Sequence, residues 1–203
     1  MAQHQIALLF LAAGKSSRMR GGDKLLKEIE GVPLLQRTLD EASKLNLPVF
    51  VTVPAHDNKR KLIISNTNAI VIEVKDAELG IGHSIATGLT HITKNLNFDS
   101  LAICPSDLPG LSEDALRKLI NFFLKNSDMI CRPTKLGKSA MGHPVIFPKN
   151  YFEDLKLIKA DFGARNILKR NEKDLNRFET EEDSYFIDLD TEEDFNNWGK
   201  QTS

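Results

Sequence analysis

The chain has 203 residues, 41% of them hydrophobic and 27% charged, with a net charge of −1. That is the balance of a globular protein long enough to bury its own core, and it gives no ground for bulk nucleic-acid or anionic-membrane binding. Cys104 and Cys131 lie apart in apolar runs, which suits neither a disulfide framework nor a zinc site, and no apolar run approaches the ~20 residues of a membrane helix or forms a signal core, so the expectation is a soluble, cytoplasmic protein folded as a single domain over residues 1–203.

Residues 6–13 (IALLFLAA) form a continuous apolar run ending at Gly14, the pattern of a strand buried on both faces. Pro33 suits the first position of a helix, and Leu34, Leu35, Leu39 and Ala42 follow at helical spacing. Residues 48–53 (PVFVTV) and 69–74 (AIVIEV) read as strands, with a helix predicted between them over 56–65. A helix over 84–94 carries Ile85, Leu89 and Ile92 on one stripe. Residues 101–104 (LAIC) form a short strand closed by Pro105. Ser112 then starts a helix with Glu113 and Asp114 in its first turn, where carboxylates meet the positive end of the dipole. Short strands are predicted at 129–131 and 145–147, helices at 150–158 and 163–170, and a late strand at 185–189. Thr191 caps a last helix carrying Phe195 and Trp198, and residues 134–141 (TKLGKSAM) read as a mobile loop. Alternating strands and helices imply a mostly parallel sheet with helices on both faces. Ligands in such sheets bind beyond the carboxyl ends of the strands, which directs attention to residues 14–24, 80–84, 106–109 and Asp190.

The segment LAAGKSSRMRGGDK, residues 11–24, places a glycine and small hydroxyl residues after a strand. Backbone amides there can cradle phosphates, and Arg18 and Lys24 add cationic donors. It fits neither of the common phosphate motifs, and by composition alone a glycine turn with solvated cations remains open. Asp107 follows a buried strand between Pro105 and Pro109, a place suited to Mg²⁺, which takes few carboxylates and keeps other positions for water and phosphate. A helix-entry turn is the structural alternative. Weaker signals are the glycine turn Gly80-Ile81-Gly82-His83-Ser84, the pieces Gly142-His143-Pro144 and Asp161-Phe162-Gly163-Ala164-Arg165, and the acidic stretch from Asp188 to Asp194.

Taken together, Leu11-Ala12-Ala13-Gly14, Ser16, Arg18-Met19, Lys24-Leu25-Leu26 and Gly31-Val32-Pro33-Leu34-Leu35 resemble the opening of the molybdenum-cofactor nucleotidyltransferase family, in particular its molybdopterin cytidylyltransferase branch. Arg20 stands where that family has glycine, and the spacing to Lys24 is one residue longer. The resemblance implies a three-layer α/β/α fold with a Rossmann-like sheet, of the nucleotide-diphospho-sugar transferase type. It implies nucleotide binding by Leu11, Ala12, Ala13, Gly14, Ser16, Ser17, Gly82 and Ser84, and catalysis by Lys24 and Arg18. It also implies Mg²⁺ on Asp107, with Asp190 as a second ligand, and acceptor contacts from His143, Asp161 and Arg165. The implied partners are CTP, with GTP as the alternative, a molybdopterin-type or other phosphate-bearing acceptor, and a molybdoenzyme or its chaperone. Guanylyl transfer, cytidylyl transfer to a polyol or sugar phosphate, and a nucleotide-binding regulator without turnover are the rival readings.

Overall fold

The structure is a computed structural model and describes residues 4–14, 22–158 and 162–201. Three strands form the centre of the sheet: β1 (Ile6–Leu11), β4 (Val49–Pro54) and β6 (Ser100–Pro105). Their residues are buried almost without exception because helices cover both faces. β1 pairs in parallel with β4 through Leu8↔Val49 and with β6 through Leu8↔Ala102. β5 (Ile70–Val74) adds in parallel beyond β4. On the other side β8 (Val145–Pro148) runs antiparallel to both β6 and β7 (Cys131–Lys135), and β9 (Asn176–Thr180) closes the edge in parallel with β7. The order is β5-β4-β1-β6-β8-β7-β9. A separate ribbon pairs β2 (Glu28–Ile29) with β3 (Val32–Pro33).

Side chains alternate across the sheet with the period of two that a strand imposes. Ile6, Leu8 and Phe10 enter one core with Leu35 and Leu39 of α1 (Leu34–Ser43) and Leu116 and Phe123 of α4 (Glu113–Phe123). Ala7 and Leu9 enter the other with Ile85 and Leu89 of α3 (Ile81–Asn95), Leu155 of α5 (Phe152–Lys156) and Ile167 of α6 (Arg165–Arg170). Gly88 lets α3 lie close on β1: a Cβ there would stand 2.8 Å from Leu9 Cδ2. The remaining helices are α2 (Asn58–Ile64) and α7 (Glu192–Gln201).

Several predicted elements shift. Pro33 is extended (ψ 136°) because it pairs with Glu28, so α1 starts one residue later. α3 starts at Ile81, since Gly80 at φ 98° breaks the chain direction just before it. The strand predicted at 129–131 is instead β7, which runs on through Thr134 and Lys135, half into the stretch read as a loop; Thr134 also bridges Met141. Residues 185–189 are not a strand. Their backbone is satisfied by isolated bonds, with Tyr185 accepting from His143 N (2.9 Å) and Leu189 donating to Asp107 (3.0 Å), and they join no ladder. The strand lies earlier, at β9, inside the acidic run.

Candidate functional site

The ends of β1 and β6 lie side by side and set the site. Beyond β1, Ala12 N continues the ladder to Thr52 (2.9 Å). Beyond β6, Ser106 donates its Oγ–H to Leu11 O (3.0 Å), tying the two strand ends together and fixing where Asp107 emerges. Lys24 opens a 3₁₀ turn whose N-cap is Asp23, accepting from Leu25 N at 3.1 Å. The Lys24 ammonium donates to Asp107 Oδ2 at 2.5 Å and to Asp190 Oδ1 at 2.6 Å. Asp190 is held in turn by the entry to α7: Asp190 N and Thr191 N both donate to Asp194, and Asp194 N donates to Thr191 Oγ1. Thr191 and Asp194 thus cap each other reciprocally, as in a capping box with aspartate at its third position.

Three carboxylates, from Asp107, Asp188 and Asp190, bring oxygens within 4.8 Å of one another. Burial works to lower the Lys24 pKa, but attraction and hydrogen bonds from Asp107 and then Asp190 outweigh it and hold the ammonium above its ordinary range. Burial pushes the Asp188 carboxyl up, and the charges of Asp107 and Asp190 push the same way. Asp107 Oδ1 is buried and has no hydrogen-bond partner among the described residues. A buried acceptor left open within a set of hard oxygen donors fits a divalent cation of the Mg²⁺ or Mn²⁺ kind.

Beside this cluster lies a cavity of about 1020 Å³. Leu11, Ala13, Gly14, Lys24 and Asp107 line one end. Ser84, His143 and Arg165 line it further along, so residues predicted from separate pieces of the chain share one space. Ala12 is fully buried behind the strand end. Gly82 is buried within α3, and of the two glycines in that turn it is Gly80, with its positive φ, that lines the cavity. Ser16, Ser17, Arg18 and Asp161 lie outside the described residues.

His143 is largely buried, and burial first, then the nearby charge of Arg132, push its imidazole down to about 4. The ring is therefore neutral near pH 7, with a buried Nδ1 that has no partner among the described residues. Three further residues belong with the site: Arg132, and Ser106 and Asp188 from stretches that the sequence already marks. Arg132 lines the cavity and donates to Gly142 O at 3.0 Å; it stands half-buried between the buried Cys131 and Pro133 of β7. Ser106 is a hydroxyl directly after a strand end. Asp188 sits two residues before Asp190 in irregular chain, where the alternation of a strand would also have set both carboxylates on one side.

A parallel sheet with cation and carboxylates gathered beyond its strand ends is the ligand site of a nucleotide-handling α/β fold. The family model described as a MobA-like NTP transferase domain matches residues 8–175, and the chain belongs to that family of nucleotidyltransferases. The purine catabolism protein PucB of Bacillus subtilis is 29% identical over 196 residues, 92% of each chain. The bifunctional protein GlmU of Neisseria meningitidis is 29% identical over 143 residues, 68% of this chain, and the match spans only 30% of GlmU. Among solved structures, Rv0371c of Mycobacterium tuberculosis superposes with a TM-score of 0.80 at 20% identity, covering 98% of this chain and all of that one, and it has also been solved in complex with manganese. A nucleotidyl transferase from Methanothermobacter, Mth528, gives 0.79 at 16% over 99% and 100%. A CMP-2-keto-3-deoxy-manno-octonic acid synthetase bound to CTP gives 0.74 at 11% over 98% of both chains. The fold is the mostly parallel, helix-flanked sheet of the nucleotide-diphospho-sugar transferases.

Proposed function

We propose that this chain transfers CMP from CTP to the terminal phosphate of a molybdopterin-type acceptor, using Mg²⁺ and releasing pyrophosphate. The observation that carries the reading is the meeting of Lys24 with Asp107 and Asp190, drawn from the start, middle and end of the chain, with Lys24 and Asp107 lining one cavity. Asp107 and Asp190 would hold the metal, with Asp188 beside them, and the ion when bound neutralises the triphosphate's charge. Released from the carboxylates, Lys24 donates to the α-phosphate as negative charge builds there. Backbone amides at Gly14 donate to the β- and γ-phosphates, and Ser16, Ser17 and Arg18 would add further donors. An acceptor phosphate oxygen attacks the α-phosphorus, the bond to the bridging oxygen breaks, and pyrophosphate leaves with its electron pair. No proton need move, so positioning and positive charge are what the protein supplies.

CTP rather than GTP is favoured by the Ala13 methyl, which narrows the cavity at the strand end, a preference worth ~1–3 kcal/mol. Its use by the fold neighbour solved with CTP points the same way. Arg165, His143 and Asp161 would face the acceptor, and the product would pass to a molybdoenzyme or its chaperone. Two buried, unpaired thiols suit a reducing compartment, and we place the enzyme in the cytoplasm. The deciding assay is pyrophosphate release with each of the four nucleoside triphosphates and Mg²⁺, with and without molybdopterin. Release that needs CTP and molybdopterin is expected; release that needs a sugar phosphate instead overturns the acceptor, and release with GTP alone overturns the base.

A further inference from the structure

Arg60 of α2 is 4% exposed, the most buried charged side chain among the described residues. Nothing in the reaction uses it directly, yet all its partners but one flank the glycine segment. Its Nη1 donates to Ala12 O at 2.5 Å and to Gly14 O at 3.0 Å. Its Nε donates to Asp23 Oδ2 at 2.8 Å, and Asp57 on its own helix pairs with the same nitrogen at 3.2 Å. The first two contacts lie just before residues 15–21 and the third just after them. Asp23 spends its other oxygen capping the turn that carries Lys24. A planar, five-donor guanidinium can hold these directions at once, whereas an ammonium on a flexible stem cannot. A carbonyl pinned towards Arg60 also leaves the N–H of the same planar peptide pointing away from it, and the Ala13 N–H belongs to the Ala12 carbonyl's peptide.

We infer that Arg60 is a positioning residue for the triphosphate: it clamps both ends of the glycine segment from behind, turning the Ala13 amide outward, and through Asp23 it sets the turn that presents Lys24. This rests on the nucleotidyl-transfer reading. Two carboxylates and two carbonyls meet the Nε and Nη1 of the buried guanidinium, which offsets its desolvation locally, and its contacts to residues 12, 14 and 23 join segments 37 or more residues apart in sequence.

The test compares the wild-type chain with Arg60→Lys, Asp23→Asn and Lys59→Gln by calorimetric titration with Mg·CTP and by amide hydrogen exchange. Arg60→Lys is expected to raise the Kd for Mg·CTP by about tenfold or more, the size of one lost charge-assisted bond. Exchange should quicken at residues 12–14 and 22–26 and stay unchanged in β4 and β6. Asp23→Asn keeps an oxygen for the cap on Leu25 but loses the charge on Nε, so it should shift the same peptides; it carries the test if the lysine variant does not fold. Lys59→Gln removes an exposed charge one residue away on the same helix and should leave the Kd near the wild-type value. Wild-type Kd and exchange in the first two variants, or exchange that quickens uniformly over the chain, overturns the clamp. Quickened exchange at the flanks in a protein whose wild type binds none of the four magnesium nucleoside triphosphates overturns the nucleotide reading on which the role depends.

Discussion

Lys24 is the residue on which two opposing demands meet. Its ammonium lies against two carboxylates, and the same positive charge is what a phosphate in transition would draw on. Removing a donor of this kind in other enzymes costs about a hundredfold or more. Lys24→Ala should therefore lower turnover by on the order of 10²-fold, measured as pyrophosphate release at saturating Mg·CTP; near-normal turnover would show that the α-phosphate is stabilised elsewhere. His143 makes a prediction of a different kind. Its imidazole is held near 4 in the fold against an ordinary 6.5. Between those values the unfolded chain binds more protons than the folded one, so stability falls as pH drops through that window and is fully present above it. The loss is on the order of 3 kcal/mol at the acid end. Urea unfolding at about pH 7 and about pH 4.5 should show it in the wild type, and His143→Gln should shrink the difference; an equal acid loss in both proteins would mean the ring is not buried neutral.

At the level of elements, the central strands were readable because a short continuous apolar run such as residues 6–11, closed by a glycine, suits a strand covered on both faces. The edge was not. β9 reads NRFET, with intermediate or exposed positions throughout, so it offers no apolar alternation and hides in the acidic run. Residues 185–189 misled for the opposite reason. Tyr185 and Leu189 are buried, but they pack as single anchors in irregular chain, Tyr185 through its OH to Ala115 O at 2.7 Å. Lys24 and Asp107 could be named because one follows a glycine turn and the other a strand end; Asp190 rested on the family resemblance and on a strand over 185–189 that the chain does not form. Arg60 could not, since what makes it matter is a set of partners 37 or more residues away, and Arg132 could not, since its place at the cavity depends on the folded order of the sheet. Gly142 shows how tightly one such crossing is built. A Cβ there would lie 2.6 Å from Tyr185 O and 2.9 Å from the Phe186 ring. The obstacle is backbone, so the β7–β8 connection must move and carry His143 with it. Gly142→Ala should cost about 1–3 kcal/mol in chemical unfolding and also weaken acceptor binding; a variant of unchanged stability would show that the crossing is loose.

Across the whole molecule, the last part of the chain returns to the first. Residues after β9 run back over α4 and the end of β6, where Leu189 N bonds to Asp107 O and Phe195 enters the core that holds Leu35. The acidic cluster is thus closed by packing at the far end of the sequence, and its three carboxylates repel one another unless a cation lies among them. Lys24 supplies one such charge; a divalent ion would supply more, and would act only on the folded chain because Asp107 and Asp190 are 83 residues apart when it unfolds. Ligand binding confined to the native state stabilises it by about 2.7 kcal/mol at a hundred times its Kd. For a chain of this size that is roughly 5–10 °C in Tm. Mn²⁺ or Mg²⁺ added to the protein without nucleotide should therefore raise Tm in a concentration-dependent way, and Asp107→Asn should abolish the shift. Asp188→Asn should weaken it only in part, because that residue is exposed and holds its ion from the solvent side of the cluster less tightly than the half-buried Asp107 and Asp190. A Tm that ignores both ions in the wild type would mean that the metal enters only with the triphosphate, held by phosphate oxygens, with the carboxylates serving Lys24 alone.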